Sequence, residues 1–477
     1  MNKMKLRYIT FGIAVAALAI MAGCKKTDEF FTLKNPNQIV EIKDLLKTPK
    51  DAQDLLTSSY DAMANTFNGR VQNLQELLSS NAAQPNTNQD LKSVYNRETT
   101  FFNNTINGVY SNLYLVVFRC NLIIDNVKDI PGIDPALANR YIAECKFLRA
   151  LCHFNTLKLY AQPHGYTSDD SHLGIVIREK ASTDAVRRSS YADCMRFIQA
   201  DLQAAYDALP EENGVLANRY AAAALLAYTN YVMNNYQACE QWASVVINSG
   251  LYTLDPSVDV FHAQDTLSQS VRTPEGIFFA ASYLPFSDSR NGDFRGNYLP
   301  QGLPTQLSMS SEFAQFIQLN AVDKRYTQLV LPNQSGQTQS LRFGTRDANN
   351  PFFSVPILRL SVMHLIRAEA LAQLGTDLPT AIADLEALRQ RAYPTGTDYS
   401  IDPSTSASAL VEIARDEFRK ETFCEGLWLD LQRRKGVLGE NVLIRNAPWN
   451  CPGMAIQFPN SEGTGAGFIF NPEGGCN

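Results

Sequence analysis

Ala143-Glu144-Cys145-Lys146-Phe147-Leu148-Arg149-Ala150, running on to Leu159-Tyr160, is the stretch that decides the fold class. Phe147, Ala150, Leu151, Phe154 and Leu157 recur at helical spacing and share one apolar face. The pattern predicts a helix from about Pro135 to Tyr160. Working outward, Leu358, Val362, Leu365, Ala368 and Ala372 repeat the same spacing, and Gly375 stands where a left-handed C-cap belongs. A partner helix, Thr380 to Ala392, follows within a few residues. Tyr220 to Asn234 and Tyr236 to Asn248 form another short-looped pair, stopped at Gly250, with Ala221-Ala222-Ala223-Ala224 allowing close approach. Charges on these helices follow the same reasoning. Glu369 lies on an apolar face beside Ala368 and Ala372, so it needs a cationic partner such as an arginine. Lys146 and Arg149, and Arg415 with Glu412, are expected in exposed or helix-bridging pairs worth under about 1 kcal/mol.

Antiparallel pairs of this length resemble tetratricopeptide repeats, although they do not recur every ~34 residues as a regular solenoid of that type would. Long stretches without helical signal separate them: Gly69 to Phe102, Asp255 to Leu307, Val330 to Phe353, and Cys451 to the C-terminus. Loops beyond about 15 residues are usually functional or disordered, and these carry too many aromatics for simple disorder. The expected architecture is mainly α, with tetratricopeptide-like antiparallel helical pairs in one domain, long irregular loop insertions and a few short strands. Ile277-Phe278-Phe279 is one such strand.

The N-terminus has its own logic. Lys3, Lys5 and Arg7 precede an uncharged, mostly apolar run from Tyr8 to Ile20, and Met21-Ala22-Gly23 places small residues ahead of Cys24. The run is too short for a mature membrane helix, which needs about 20 residues, and suits a signal peptide. The small-small-Cys junction resembles a bacterial lipobox, in which the cysteine sulfur receives a diacylglycerol. Each buried methylene contributes ~0.8 kcal/mol, so two or three acyl chains anchor stably where one would not. The expected layout is a leader over 1–23, a lipidated tether over 24–34, and a single helical domain over 35–477. The acidic Asp28-Glu29 in the tether loosely resembles a signal for the outer leaflet of a Gram-negative outer membrane; a plain solvated linker has the same composition.

Composition excludes several classes. Removing 1–23 takes away three basic residues and no acids, leaving 39 basic against 48 acidic residues, a net charge of −9. Nucleic acid would require a basic stripe. The five histidines occur singly, without HExxH spacing, and there is no G-x-S-x-G elbow, P-loop or dinucleotide fingerprint. No enzyme, cofactor or metal is expected. Cys120, Cys145, Cys152, Cys194 and Cys239 fall in helical segments as buried thiols. Cys451 and Cys476, in Gly- and Pro-rich sequence, are the preferred disulfide candidates.

Several segments in order are similar to the SusD/RagB family of outer-membrane nutrient-binding lipoproteins. They are Asn35-Pro36-Asn37-Gln38 with Pro49 to Tyr60, the Ala143 to Tyr160 helix, Arg187-Arg188-Ser189-Ser190-Tyr191 with Ile198 to Pro210, Arg359-Leu360 with Leu365 to Ala370, and Glu417 to Arg419 with Glu425-Gly426 and Asp430-Leu431. The cysteine-bearing tail Asn471 to Asn477 departs from the pattern, as does Cys145 within its motif. The resemblance implies a non-catalytic receptor that holds a glycan over a SusC-like TonB-dependent transporter, attached to the membrane only through its lipid. The cargo is left open: a peptide-binding receptor of the same architecture, or a helical scaffold that binds only protein partners, would share these motifs.

Sugar binding needs flat aromatic faces together with amides, carboxylates or guanidinium groups. One candidate set is Asn81, Gln84, Asn86, Asn88, Tyr95, Arg97 and Phe101. The other is Tyr283, Phe286, Asp288, Arg290, Asp293, Phe294, Arg295 and Tyr298. Of these, Asn81, Asn86, Tyr95, Arg97, Tyr283, Phe286, Arg290, Asp293 and Tyr298 are the expected ligand contacts. The competing reading makes them loop stabilisers, with Asn and Asp closing turns and aromatics covering the core.

Overall fold

Thr48 starts the first helix through a capping box: its hydroxyl accepts from the Asp51 backbone N–H at 3.2 Å, and the Asp51 carboxylate accepts from the Thr48 N–H at 2.8 Å. Pro49 in the first turn loses no needed donor. The computed structural model describes residues 46–182, 184–261, 273–280, 292–298, 305–332, 337–343, 355–464, 467–473 and 475–476. Nearly all the described residues fall in the unit Thr48–Asn477; Cys24 and the segments expected as leader and tether lie outside them.

In chain order the helices are α1 (Pro49–Thr66), α2 (Arg70–Leu78), α3 (Gln89–Tyr95), α4 (Asn104–Asn126), α5 (Pro135–Tyr160), α6 (Tyr191–Ala208), α7 (Arg219–Val232) and α8 (Tyr236–Ile247). Strand β1 (Gly276–Ala280) follows, then α9 (Gly292–Tyr298), α10 (Ser311–Gln318), α11 (Lys324–Leu329), β2 (Val330–Pro332), β3 (Thr338–Ser340) and β4 (Val355–Arg359). The chain closes with α12 (Leu360–Leu374), α13 (Leu378–Ala392), α14 (Ala407–Thr422), α15 (Trp428–Val437), β5 (Leu443–Ile444) and β6 (Ala447–Pro448). The protein is thus mainly helical, with two-stranded antiparallel ribbons β1–β4, β2–β3 and β5–β6.

The helices pack as a succession of neighbours. α1 lies on α4, α4 on α5, α5 on α6, α6 on α7, α7 on α8, α8 on α12, and α12 on both α13 and α14. This is the tetratricopeptide-like pairing that the short interhelical loops imply. Gly375, at φ 63°, ends α12 in the left-handed conformation that its position in the pattern demands. In α5 the apolar face packs through Phe147, edge-on to Phe278 at 4.8 Å, and Phe154, edge-on to Tyr228 at 6.2 Å.

Burial revises two expectations and bears out a third. Arg149 is not in a surface pair: its guanidinium is buried and holds Asp201 with two bonds of 2.7 and 2.8 Å, bracing α5 to α6. Removing one partner of such a pair costs about 3–5 kcal/mol, well above a surface pair's value. Glu369 does meet its arginines, Arg415 at 3.2 Å and Arg434 at 3.1 Å, and also accepts from the Tyr231 hydroxyl at 2.7 Å. The stretch from Gly69 to Phe102 is not an irregular insertion, because it contains α2 and α3, and every residue of Val71–Leu78 is buried.

A buried charge cluster joins the loop-bearing segments to the helices. Arg359 at the end of β4 bonds Glu275 at 3.0 Å, Glu421 at 2.8 Å and Glu425 at 2.7 Å. Arg391 and Arg325 also bond Glu421, Arg342 bonds Glu425, and Arg325 bonds Glu417 and Asp323. Burial alone would push the Glu421 carboxyl up, but Arg391, Arg359 and Arg325 hold it well below the usual carboxylate range. Cys451 and Cys476 form a disulfide, and the helix cysteines, together with Cys424, are free and buried.

Candidate functional site

The first loop set singled out in the sequence pairs with the segment that leads into α10. Residues 81–86 run antiparallel to 306–310: Ala83 N–H donates to the Ser308 carbonyl at 2.9 Å, Asn86 N–H to Gln306 at 3.2 Å, and Ser310 N–H to Asn81 at 2.7 Å. Met309 then pairs with Thr338, extending the layer into β3 and β2. The Gln306 side chain completes the clasp. Its carbonyl accepts from the N–H groups of Thr87 and Asn88, and its amide donates to the Thr87 hydroxyl. Asn88 in turn caps α3 by accepting from Leu91 N–H.

Beyond α3, the chain turns sharply to enter α4. Asn103 caps α4 through Ile106 N–H and donates its amide to the Asp90 carbonyl and the Ser93 hydroxyl. The Asp90 carboxylate also accepts from the backbone and hydroxyl of Thr105. This polar lacing holds Phe101 and Phe102 at the turn with ring centroids 4.3 Å apart, and Phe102 is 77% exposed. A large aromatic left in water on a braced loop offers an apolar face to a ligand. The exposed amides of Gln84, Asn88 and Asn96 belong to the same stretch of chain.

The floor of this face is the β5–β6 hairpin. Its two-residue turn, Arg445-Asn446, has φ of 48° and 66°, as a type I′ hairpin requires. Arg445 sits with its guanidinium carbon 4.1 Å from the centre of the half-buried Tyr95 ring, donates to the Tyr95 carbonyl at 2.7 Å, and also bonds the Ser79 carbonyl. Arg97, at φ 64°, reaches back to the Ile444 carbonyl at 2.7 Å. Gly453 and Gly475 pack over Arg97; a side chain at Gly453 would stand 2.0 Å from the Arg97 carbonyl oxygen. Burial pushes both guanidinium pKa values down, that of Arg445 to about 10, where the charge of Arg97 adds to the fall.

The nominated residues therefore divide. Tyr95 and Asn86 are partly exposed on the loop face. Asn81 is 1% exposed, and its side-chain carbonyl accepts from Arg419 at 2.8 Å, so it supports the loop from beneath. Arg97 is 9% exposed and lies under the face. Asp293 is held by Arg70 at 2.8 Å. Tyr298 does not line a surface: it is 2% exposed at the end of α9 and packs on Phe343 at 5.1 Å, which makes it a core residue. Tyr283, Phe286 and Arg290 lie outside the described residues. Phe102 and Arg445 were not nominated. A Phe-Phe pair inside an Asn- and Thr-rich loop was the available signal for the first, and nothing local marks the second.

A separate groove of about 260 Å³ runs along α1, lined by Tyr60, Asp61, Arg140, Tyr141, Leu216 and Phe279 among others. Its strongest polar feature is engaged within the protein, since the Tyr60 hydroxyl donates to Glu144 at 2.7 Å and accepts from Ala217 N–H. Among the described residues no group of three His, Cys, Asp or Glu side chains has the arrangement of a metal site, and no helix is long and apolar enough to cross a membrane.

Comparison with known proteins places this geometry in context. A family model described as "Starch-binding associating with outer membrane" matches residues 30–229, and the SusD family model matches residues 336–447. A SusD-like protein of Formosa agariphila is 20% identical over 264 residues, which are 53% of this chain and 49% of that protein; the chain spans about half the length of the curated relatives it matches. The crystal structure of a SusD superfamily protein from Bacteroides thetaiotaomicron superposes with a TM-score of 0.76 at 22% identity, covering 89% of this chain and all of that one. A SusD-like carbohydrate binding protein from Bacteroides vulgatus gives a TM-score of 0.66 at 17% identity, over 82% of this chain and 84% of that one.

Proposed function

This chain belongs to the SusD/RagB family, and on that premise we propose that it is a non-catalytic surface receptor that captures a glycan and passes it to a SusC-like TonB-dependent transporter. The family carries a carbohydrate-binding role and an association with the outer membrane. Anchoring would be through a lipid on Cys24, because the residues before it have the order of a lipoprotein leader.

The observation that carries the glycan reading is the loop face itself. Phe101, Phe102 and Tyr95 offer aromatic surface, and Gln84, Asn86, Asn88 and Asn96 on the same stretch of chain offer amides, the combination that binds C–H faces and hydroxyls of a sugar. These groups stand on polar-laced backbone, so little ordering entropy opposes binding.

The test replaces Tyr95, Phe101 and Phe102 with alanine and titrates the protein against a panel of polysaccharides by affinity electrophoresis and calorimetry. Each aromatic–sugar stack contributes about 0.5–1.5 kcal/mol, so the triple variant should bind at least about tenfold more weakly with an unchanged melting midpoint. Unaltered affinity in the folded variant would remove the site from this face. Retrieval of the lipidated protein from mild detergent without any barrel partner would count against delivery to a transporter.

A further inference from the structure

Arg97 and Arg445 form an interlocked cationic pair, and its counter-charge is absent among the described residues. Each guanidinium bonds the backbone beside the other: Arg97 reaches the carbonyls of Ile444 and Arg445, and Arg445 reaches that of Tyr95, two residues before Arg97. Neither has a carboxylate within ion-pair distance among the described residues. Arg149, Arg359, Arg391 and Arg434, by contrast, each sit against an acid. The Arg97 Nε is buried without a hydrogen-bond acceptor. Both residues also occupy left-handed backbone, at φ 64° and 48°, where a non-glycine residue is disfavoured.

The two arginines differ in access. Arg97 is enclosed by Gly453, Gly475 and the hairpin. Arg445 is half-buried over the Tyr95 ring, six residues before Phe101 in the chain, and so keeps partial access to solvent. With a mature net charge of −9 the protein as a whole repels anions, so two neighbouring cations kept without an acid partner are a local device. A ligand anion at Arg445 would supply the missing charge.

We propose that the loop face selects an anionic glycan, with Arg445 receiving a carboxylate or sulfate group of the chain while a sugar ring lies on Phe101–Phe102. Arg97 is the positioning residue behind it, fixing the hairpin and adding its charge to the field at Arg445. This deepens the receptor reading above and rests on it.

Three probes separate the possibilities: polygalacturonate oligomers, which carry carboxylate alone, κ-carrageenan oligomers, which carry sulfate alone, and carboxyl-reduced, neutral counterparts of the first. Wild-type protein should bind at least one anionic probe about tenfold more tightly than the neutral one, the weight of a charge-assisted hydrogen bond. That affinity should fall between 50 and 300 mM NaCl, both salt levels being of the order at which screening matters; which anionic probe wins distinguishes carboxylate from sulfate. Arg445→Met keeps an aliphatic stem over Tyr95 and should lose the anionic preference, read as the ratio of anionic to neutral affinity, together with its salt dependence. If that variant melts early, the wild-type salt series and the anionic-to-neutral ratio decide alone. Equal or better binding of the neutral probe, or an Arg445→Met variant that keeps the anionic preference, overturns the proposal and leaves the receptor reading standing. Binding of none of these probes, nor of any neutral polysaccharide, overturns both.

Discussion

Arg359→Met is the sharpest test of how the loops are seated. The Arg359 guanidinium is buried and bonds Glu275, Glu421 and Glu425 at 2.7–3.1 Å, the Glu421 carbonyl at 2.7 Å, and the Ser361 hydroxyl. Methionine fills similar volume without charge, so the change isolates electrostatics from packing. Glu421 retains Arg391 and Arg325, and Glu425 retains Arg342, which prevents the individual bonds from adding up. The expected loss is therefore that of one broken buried pair, about 3–5 kcal/mol, rather than the larger sum of several charge-assisted bonds. Guanidinium denaturation followed by far-UV circular dichroism measures it. Glu421→Gln and the double variant complete a cycle that should give a coupling energy above about 1 kcal/mol. Lys50→Met, which breaks an exposed pair with Asp54, should leave the transition where it is. A loss below about 1 kcal/mol for Arg359→Met would show that the cluster is not fully ionised or relaxes freely, and the argument would fail.

Three further outcomes follow from single sites. Burial raises Glu76 to about 7, although its carboxylate accepts from the N–H groups of Cys424 and Gly426. Its folded pKa lies above its unfolded value, so its contribution to stability is complete below about 4.5 and is lost as pH rises through 7; Glu76→Gln should flatten the decline in melting midpoint between pH 5 and 8, and an unchanged slope would refute the assignment. Removing the Cys451–Cys476 disulfide, which closes a 25-residue separation, should lower stability by about 3–4 kcal/mol in the chain-entropy estimate; a reductant that leaves the melting midpoint unmoved would contradict it. A fatty-acid analogue should label wild-type protein in cells and leave Cys24→Ser unlabelled, and equal labelling would dismiss the lipid anchor.

How much of this was legible depended on contrast within the sequence. α5 and α12 announce themselves because apolar residues recur at helical spacing, and Gly375 marks an end. α2 does not, because its nine residues include Gln72, Asn73, Gln75 and Glu76, polar types that read as loop, and only tertiary packing buries them alongside Val71, Leu74, Leu77 and Leu78. Arg149 misled for a related reason. Its spacing from Lys146 is a local property, while its burial is decided by Asp201, 52 residues away. Tyr298 and Phe102 show the same limit from opposite directions: both are aromatics in polar surroundings, and only tertiary packing sends one into the core and leaves the other in water. Arg445 was invisible because its significance lies in Tyr95 and Arg97, some 350 residues earlier.

The separation between scaffold and face has a physical basis in where the charges are buried. Glu275 immediately precedes β1, Arg342 follows β3, Arg359 ends β4, and Glu421 and Glu425 flank the end of α14. The segments that leave the helical layer at β1, β3 and β4 are thus tied, with the end of α14, to one ionic cluster. Apolar contacts alone permit sliding, because their energy depends on area rather than direction. A bidentate guanidinium–carboxylate bond fixes distance and angle together. Such clusters are costly to desolvate and add little net stability, so what this one supplies is register among β1, β3, β4 and α14. Substitutions on the face should accordingly alter binding while sparing the melting midpoint, and substitutions in the cluster should do the reverse until the fold itself gives way.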